Sequence, residues 1–237
     1  MHDEAIPDFR DMIEQMDIGL TFVKETFDIQ PNVAWQIDPF GHGSTTAAIM
    51  PKLGFTFVII NRISAVEKEQ MKKGNTEFYW LGNPTGDYNS GQGFMFSHLL
   101  YSHYSYKSFY HDNFNQRWDW FYYNVCVEAM YSKIILKMLG STHTPVVPFL
   151  IGDDFAYSHP KAFETVKELM TVFETSKYPL YVNISQTLQY GTITEYIDTI
   201  SAYKQAYGVY RGDFFPYLEQ FPDKVDFWTG FYSTRPV

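Results

Sequence analysis

Four charged residues stand where a chain would place groups meant to react. Asp38 follows the apolar-leaning run Val33–Ile37 in "VAWQIDPFGHG", Arg62 follows Phe55–Asn61 ("FTFVIIN"), and Asp153 and Asp154 follow Val146–Ile151. Two carboxylates with an arginine beside them suit the work of a nucleophile and a general acid. In retaining glycoside hydrolysis the two carboxyl groups lie about 5–5.5 Å apart. One attacks the anomeric carbon as an anion; the other holds a raised pKa and protonates the leaving oxygen. Asp38 and Asp154 could fill these roles. Aspartates after strands also form turns and cap helices, and spacing alone leaves both readings open.

Other reactive side chains carry less. His42 reads either as a metal ligand or as a support that holds the turn after Pro39, and metal sites normally rest on such support. His2, His98, His103 and His111 show no metal spacing with Asp38 and read as surface or loop histidines. Cys126 lies in a long apolar helix and reads as core rather than nucleophile. Being the one cysteine, it forms no internal disulfide, and no Cys/His set reads as a structural zinc site. Asn183-Ile184-Ser185 is a glycosylation sequon by pattern, but it falls on a predicted buried strand.

The elements that must position these groups follow from hydrophobic periodicity. Phe9, Met12, Ile13, Met16, Leu20, Val23 and Phe27 recur at helical spacing and predict an amphipathic helix over 7–27. Val33–Ile37, Phe55–Asn61, Val146–Ile151 and Leu180–Ile184 read as strands. Ser44 or Thr45 can cap a helix that Pro51 strains or ends. Helices are also expected over Glu67–Lys73, Arg117–Leu139, Pro160–Thr175 and Thr192–Tyr207. A Gly/Pro-rich loop covers 82–93, and the tail from Gly208 reads as irregular. Strands alternating with helices predict an α/β domain with a mostly parallel sheet, open or closed into a barrel. Ligands in such sheets bind beyond the carboxyl ends of the strands.

Composition narrows the partners. The chain carries 18 Lys plus Arg against 27 Asp plus Glu, which argues against a nucleic-acid partner, since that needs a basic face. No apolar run reaches the length of about 18 residues that a membrane span requires, and the first residues lack a charged segment followed by an apolar one. Aromatic residues are abundant, with 19 Tyr, 21 Phe and 5 Trp. Compositional bias accounts for that as readily as a sugar cleft does.

Five ordered motifs carry more weight: "MHDEA", "AWQIDPFGHG", "GDDFAY", "DFFPY" and "FWTGFYSTRP". Together the chain resembles, over nearly its whole length, the catalytic domain of glycoside hydrolase family 38, the retaining α-mannosidases. The lysosomal branch is the nearer match, through "HLLYSHYS" and "GDFFPYLEQ". The resemblance implies a (β/α)-barrel-like domain of the seven-stranded type, incomplete at its N-terminal strand. It implies hydrolysis of terminal α-mannose from N-linked glycans, in a lysosomal or other endomembrane compartment, with one Zn2+ per complete site. By the resemblance Asp38 is both nucleophile and zinc ligand, and Asp154 is the acid/base, with Asp153 beside it at the sugar site. Arg62 should hydrogen-bond beside the nucleophile and help keep it ionised. Tyr104, with Tyr106 as the alternative, matches a sugar-site tyrosine, and Phe40 should lie under or beside the sugar.

The chain departs from the family most in its zinc ligands, and more mildly at Gly43, where a serine is usual, and at Lys107, where some relatives have polar or acidic groups. Of four zinc ligands only Asp38 is present; the other three are expected outside residues 1–237. The chain therefore reads as an internal piece of one catalytic domain, completed by the remainder of the same polypeptide. Alone it is expected to be inactive, at most a weak carbohydrate-binding or assembly module. A metal-dependent polysaccharide deacetylase, the rival from a related barrel, would need several histidines near the rim aspartate, which the sequence does not offer. The final "FWTGFYSTRP" reads as a packed buttress rather than a sugar-contacting patch.

Overall fold

The structure, a computed structural model, describes residues 1–82, 93–104, 133–150, 167, 170–171, 188–221 and 223–233. Asp153, Asp154, Tyr106, His111, Cys126, the sequon and the predicted strand Leu180–Ile184 lie outside them.

A five-stranded sheet organises the fold. In chain order the elements are α1 (Phe9–Phe27), β1 (Val33–Gln36), α2 (Ser44–Ile49) with a 3-10 turn over Met50–Leu53, β2 (Phe57–Ile60), α3 (Ala65–Met71), β3 (Glu77–Leu81), β4 (Phe94–Leu99), α4 (Ile193–Ala202) and β5 (Gly208–Arg211). A separate antiparallel ribbon pairs β6 (Leu218–Gln220) with β7 (Val225–Phe227). The sheet order is β1-β2-β4-β3-β5. Strands β1, β2 and β4 run parallel, β3 opposes β4, and β5 follows β3 in parallel. The α/β class and the mostly parallel sheet stand; the described strands form an open sheet rather than a closed barrel.

Strand β2 explains the two-layer core. Its side chains are all buried. Val58 and Ile60 join Ala34, Met50, Trp80 and Phe214 on one face, with Met16 and Leu20 of α1 laid against them. Phe57 and Ile59 join Tyr196, Ile197 and Ile200 of α4 on the other. A strand buried on both faces reads as a continuous apolar run, and this is why "FVII" is legible. Helix α4 starts at a capping box, with Thr192 and Glu195 bonding reciprocally.

Several expectations are corrected. The first turn of α2 is capped by Gly43, not by Ser44 or Thr45. At Pro51 the second of the two expected outcomes holds: α2 ends at Ile49, and Pro51 falls near the start of the 3-10 turn, where its missing N–H costs nothing. Residues 146–150 form no strand; Pro148 removes a ladder donor from the middle of that run, and Pro145 immediately precedes it. Helix α4 ends at Ala202, and Lys204 takes a left-handed φ of 47°, so 203–207 are not helical. The tail from Gly208 is not irregular, since β5 lies beside β3 and the β6–β7 ribbon follows. Its strands are short and largely exposed, so they give no apolar signal.

Candidate active site

Asp38, Arg62 and Tyr104 meet at one edge of the sheet because they leave three strands that point the same way. Asp38 follows β1, Arg62 follows β2 and Tyr104 comes shortly after β4. Parallel β1, β2 and β4 therefore deliver all three beyond their carboxyl ends, the expected place for a ligand.

Their contacts are unevenly shared between the two oxygens of Asp38. Arg62 donates Nε–H to Oδ1 at 2.7 Å, and its Nη2 also donates to Oδ1. The Tyr104 hydroxyl donates to the same oxygen at 2.8 Å. Oδ1 is thus saturated, whereas Oδ2 accepts no hydrogen bond from any described residue. The guanidinium is sunk, with its side chain 12% exposed, and the carboxylate above it is 45% exposed. Burial alone would lower Arg62, but its bond to Asp38 overrides this and holds it above its ordinary value. Burial, then the bond to Asp38, raises Tyr104, so the hydroxyl keeps its proton and remains a donor.

Aromatic rings wall the guanidinium. Arg62 lies 4.8 Å from the Phe40 ring centre, 5.6 Å from Tyr104 and 5.7 Å from Tyr217. Phe40 stacks on Trp228 at 5.3 Å, with Phe231 against its edge. The Tyr232 hydroxyl donates to the Phe40 carbonyl at 3.3 Å. The tail thus packs against Phe40 rather than against a barrel end, and Trp228 stays 40% exposed beside it. Sequence reasoning missed Tyr217 and Trp228 as neighbours of this site. Their motifs were visible, but only the fold brings residues from so far along the chain to Asp38.

The turn after Asp38 rests on two buried connections. Gly41 has φ +90°, and its amide donates to the Arg62 carbonyl at 3.0 Å. His42 and Phe214 exchange backbone hydrogen bonds at 3.2 and 2.7 Å, tying "DPFGHG" to "DFFPY". A Cβ on Gly41 would collide with the Phe215 ring. Gly41→Ala is therefore expected to cost about 1–3 kcal/mol from backbone strain alone, read as a lower melting temperature; an unchanged one would contradict this account of the turn.

His42 is a support, not a ligand. It is fully buried, its Nδ1 lies 2.9 Å from Glu4 Oε1, and the Asn61 amide donates to its Nε2 at 3.4 Å. Glu4, of "MHDEA", is the hub. Its carboxylate also accepts from the Gly43 amide at 2.9 Å, the Thr46 hydroxyl at 2.5 Å and Gln36 Nε2 at 3.0 Å. Burial would raise the Glu4 carboxyl, but His42, Thr46 and Gly43 outweigh it and the group ends below its usual value. Asp213 accepts the Ser44 amide, the first of α2, at 2.6 Å, while Glu4 accepts the amide of the preceding cap residue Gly43.

The other histidines are not all at the surface. His98 is 3% exposed on β4, and its Nδ1 lies 3.2 Å from the Tyr196 hydroxyl. Burial, with Lys68 nearby, pushes it down to about 3, so it is neutral. His103 is partly buried against the Tyr104 ring at 4.1 Å. Among the described residues no three His, Cys, Asp or Glu side chains are grouped as a metal site. Among the described residues the half-exposed Asp38 carboxylate fits one ligand position and no more. Among the described helices none is long and apolar enough to cross a membrane.

The chain is 30% identical to alpha-mannosidase E of Dictyostelium discoideum over 256 residues, covering 100% of this chain and 21% of that protein. It is 29% identical to alpha-mannosidase F of the same organism, covering 100% and 24%. It is 27% identical to the lysosomal alpha-mannosidase of Bos taurus, again covering 100% and 24%. The chain thus spans under a quarter of the length of these relatives. A crystal structure of an alpha-mannosidase from Enterococcus faecalis V583 shares the fold, with TM-score 0.54 and 14% identity over 90% of this chain and 21% of that one. Residues 1–220 match the glycosyl hydrolases family 38 N-terminal domain, and the chain belongs to that family.

Proposed function

We propose that this chain supplies the nucleophile side of an α-mannosidase active site that removes terminal α-D-mannose from N-linked glycans with retention of configuration. The observation that carries the reading is the asymmetry at Asp38: Oδ1 is held by Arg62 and Tyr104, and Oδ2 accepts no hydrogen bond from any described residue. Oδ2 attacks the anomeric carbon while Asp154 protonates the leaving oxygen. A glycosyl ester then forms on Asp38, and Asp154 takes a proton from the water that hydrolyses it. By the family resemblance Asp153 would contribute to the sugar site, and Phe40 would lie under or beside the sugar. Three donors on Oδ1 keep the carboxylate oriented through both steps.

Zinc would be held in part by Asp38, with the other donors supplied outside this chain, and when bound it would act as template and Lewis acid for the sugar hydroxyls. The remainder of the polypeptide is then required for turnover, a reading supported by the small share of each relative that the chain covers. Lysosomal relatives favour a lysosomal or endomembrane setting. The isolated chain is expected to bind mannosides weakly without turnover. The test is the anomer first released from an aryl α-mannoside by the complete polypeptide, followed by NMR. The α anomer is expected; the β anomer would overturn the double displacement.

A further inference from the structure

Arg62 can hold Asp38 only if the peptide that carries it is itself fixed, and the structure shows what fixes it. Lys68, on α3, directs its ammonium back to the end of β2. Nζ donates to the Asn61 carbonyl at 2.8 Å and to Asn61 Oδ1 at 2.7 Å. Asn61 is 1% exposed and immediately precedes Arg62. Its amide donates to His42, and the Arg62 carbonyl accepts the Gly41 amide. The two oxygens also decide the Asn61 side-chain orientation, since a flipped amide would turn its NH2 toward the ammonium.

This placement is unfavourable without Asn61. Burial, then Lys72 and Arg62, push Lys68 down to about 7, with Glu69 and Glu219 acting the other way. No step of the proposed mechanism uses this cation. We propose that Lys68 is a positioning residue: by gripping both oxygens of Asn61 it fixes the peptide from which the Arg62 guanidinium reaches Asp38. In its effect on catalysis this inference rests on the proposed mannosidase reading; in its effect on the backbone it does not.

The test has two arms. In the 237-residue chain, Lys68→Met is expected to speed hydrogen exchange at the Gly41 and Asn61 amides by tenfold or more, on the order of a lost hydrogen bond. The Leu100 amide, which bonds the Ile60 carbonyl within the sheet, should keep its protection. In the complete polypeptide Lys68→Met should lower kcat about 100-fold with KM little changed, the scale expected for a misplaced catalytic group. Lys68→Arg should recover most of that loss. Should Lys68→Met not fold, Asn61→Ala removes Oδ1 alone and should also speed Gly41 exchange.

Unchanged Gly41 exchange in the folded variants overturns the proposal. So does exchange that rises equally at Leu100, which would make Lys68 a general stabiliser. An unchanged kcat in Lys68→Met while Arg62→Ala is impaired overturns the catalytic half. If Arg62→Ala and Asp38→Asn are both fully active, the mannosidase reading has failed instead, and the exchange result stands apart from it.

Discussion

Asp38→Asn, placed in the complete polypeptide, is expected to lower turnover by about 10⁴-fold or more, the scale seen when a nucleophile is removed. The melting temperature should stay near that of the wild type. The two halves of this prediction come from the two oxygens. The amide oxygen of Asn can still accept from Arg62 and Tyr104, so the contacts made by Oδ1 survive in the variant. Its NH2 replaces Oδ2, and an amide nitrogen cannot attack an anomeric carbon as a carboxylate does. Loss of folding would instead mean that Asp38 is chiefly a structural partner of Arg62. Retained turnover would remove it from the mechanism. Rates on an aryl α-mannoside, with a thermal melt of each protein, separate these outcomes.

Glu4→Gln is expected to have the largest effect on stability, a loss of about 3–5 kcal/mol, because it breaks a buried network by changing one partner only. Oε1 faces His42 and Gln36, and Oε2 faces Gly43 and Thr46. Whichever way the Gln amide turns, its NH2 meets groups that donate. The pH dependence has a definite sign. The folded carboxyl lies below the ordinary glutamate value of 4.5. Its contribution is therefore fully present above that value and is lost as pH falls through the lower, folded one. Urea titrations across the acid range should show a steep limb in the wild type that is flatter in Glu4→Gln. Equal stability of the two proteins at neutral pH would contradict the role given to Glu4.

Asp38 and Arg62 were legible because each follows an apolar run that is a true parallel strand. Once β1 and β2 lie side by side, the residues after them must share an edge. Tyr104 was legible through its motif, and His42 as a support through the need to hold the turn. Glu4 was not legible as a hub, since its four donors come from residues 36–46, far from it along the chain. Strands β3 and β4 gave no apolar alternation because they bury polar groups: Glu77, Ser97 and His98 all face inward. Glu77 shows why: burial raises it, and it accepts from the Tyr196 and Thr144 hydroxyls at 3.2 and 3.3 Å. Such interiors are specified by tertiary hydrogen bonds that a hydropathy pattern does not carry. The run 146–150 misled in the opposite way, since it is apolar but Pro148 at its centre cannot donate to a ladder.

The central claim is that Asp38 carries the covalent glycosyl intermediate, and trapping that ester tests it most directly. The complete polypeptide would be treated with a fluorinated, activated α-mannoside that forms the ester quickly and hydrolyses slowly, then digested and mapped by mass spectrometry. One sugar label on the peptide containing Asp38, absent from Asp38→Asn, is the predicted result. A label on another residue, or none while the reagent is turned over, would contradict it.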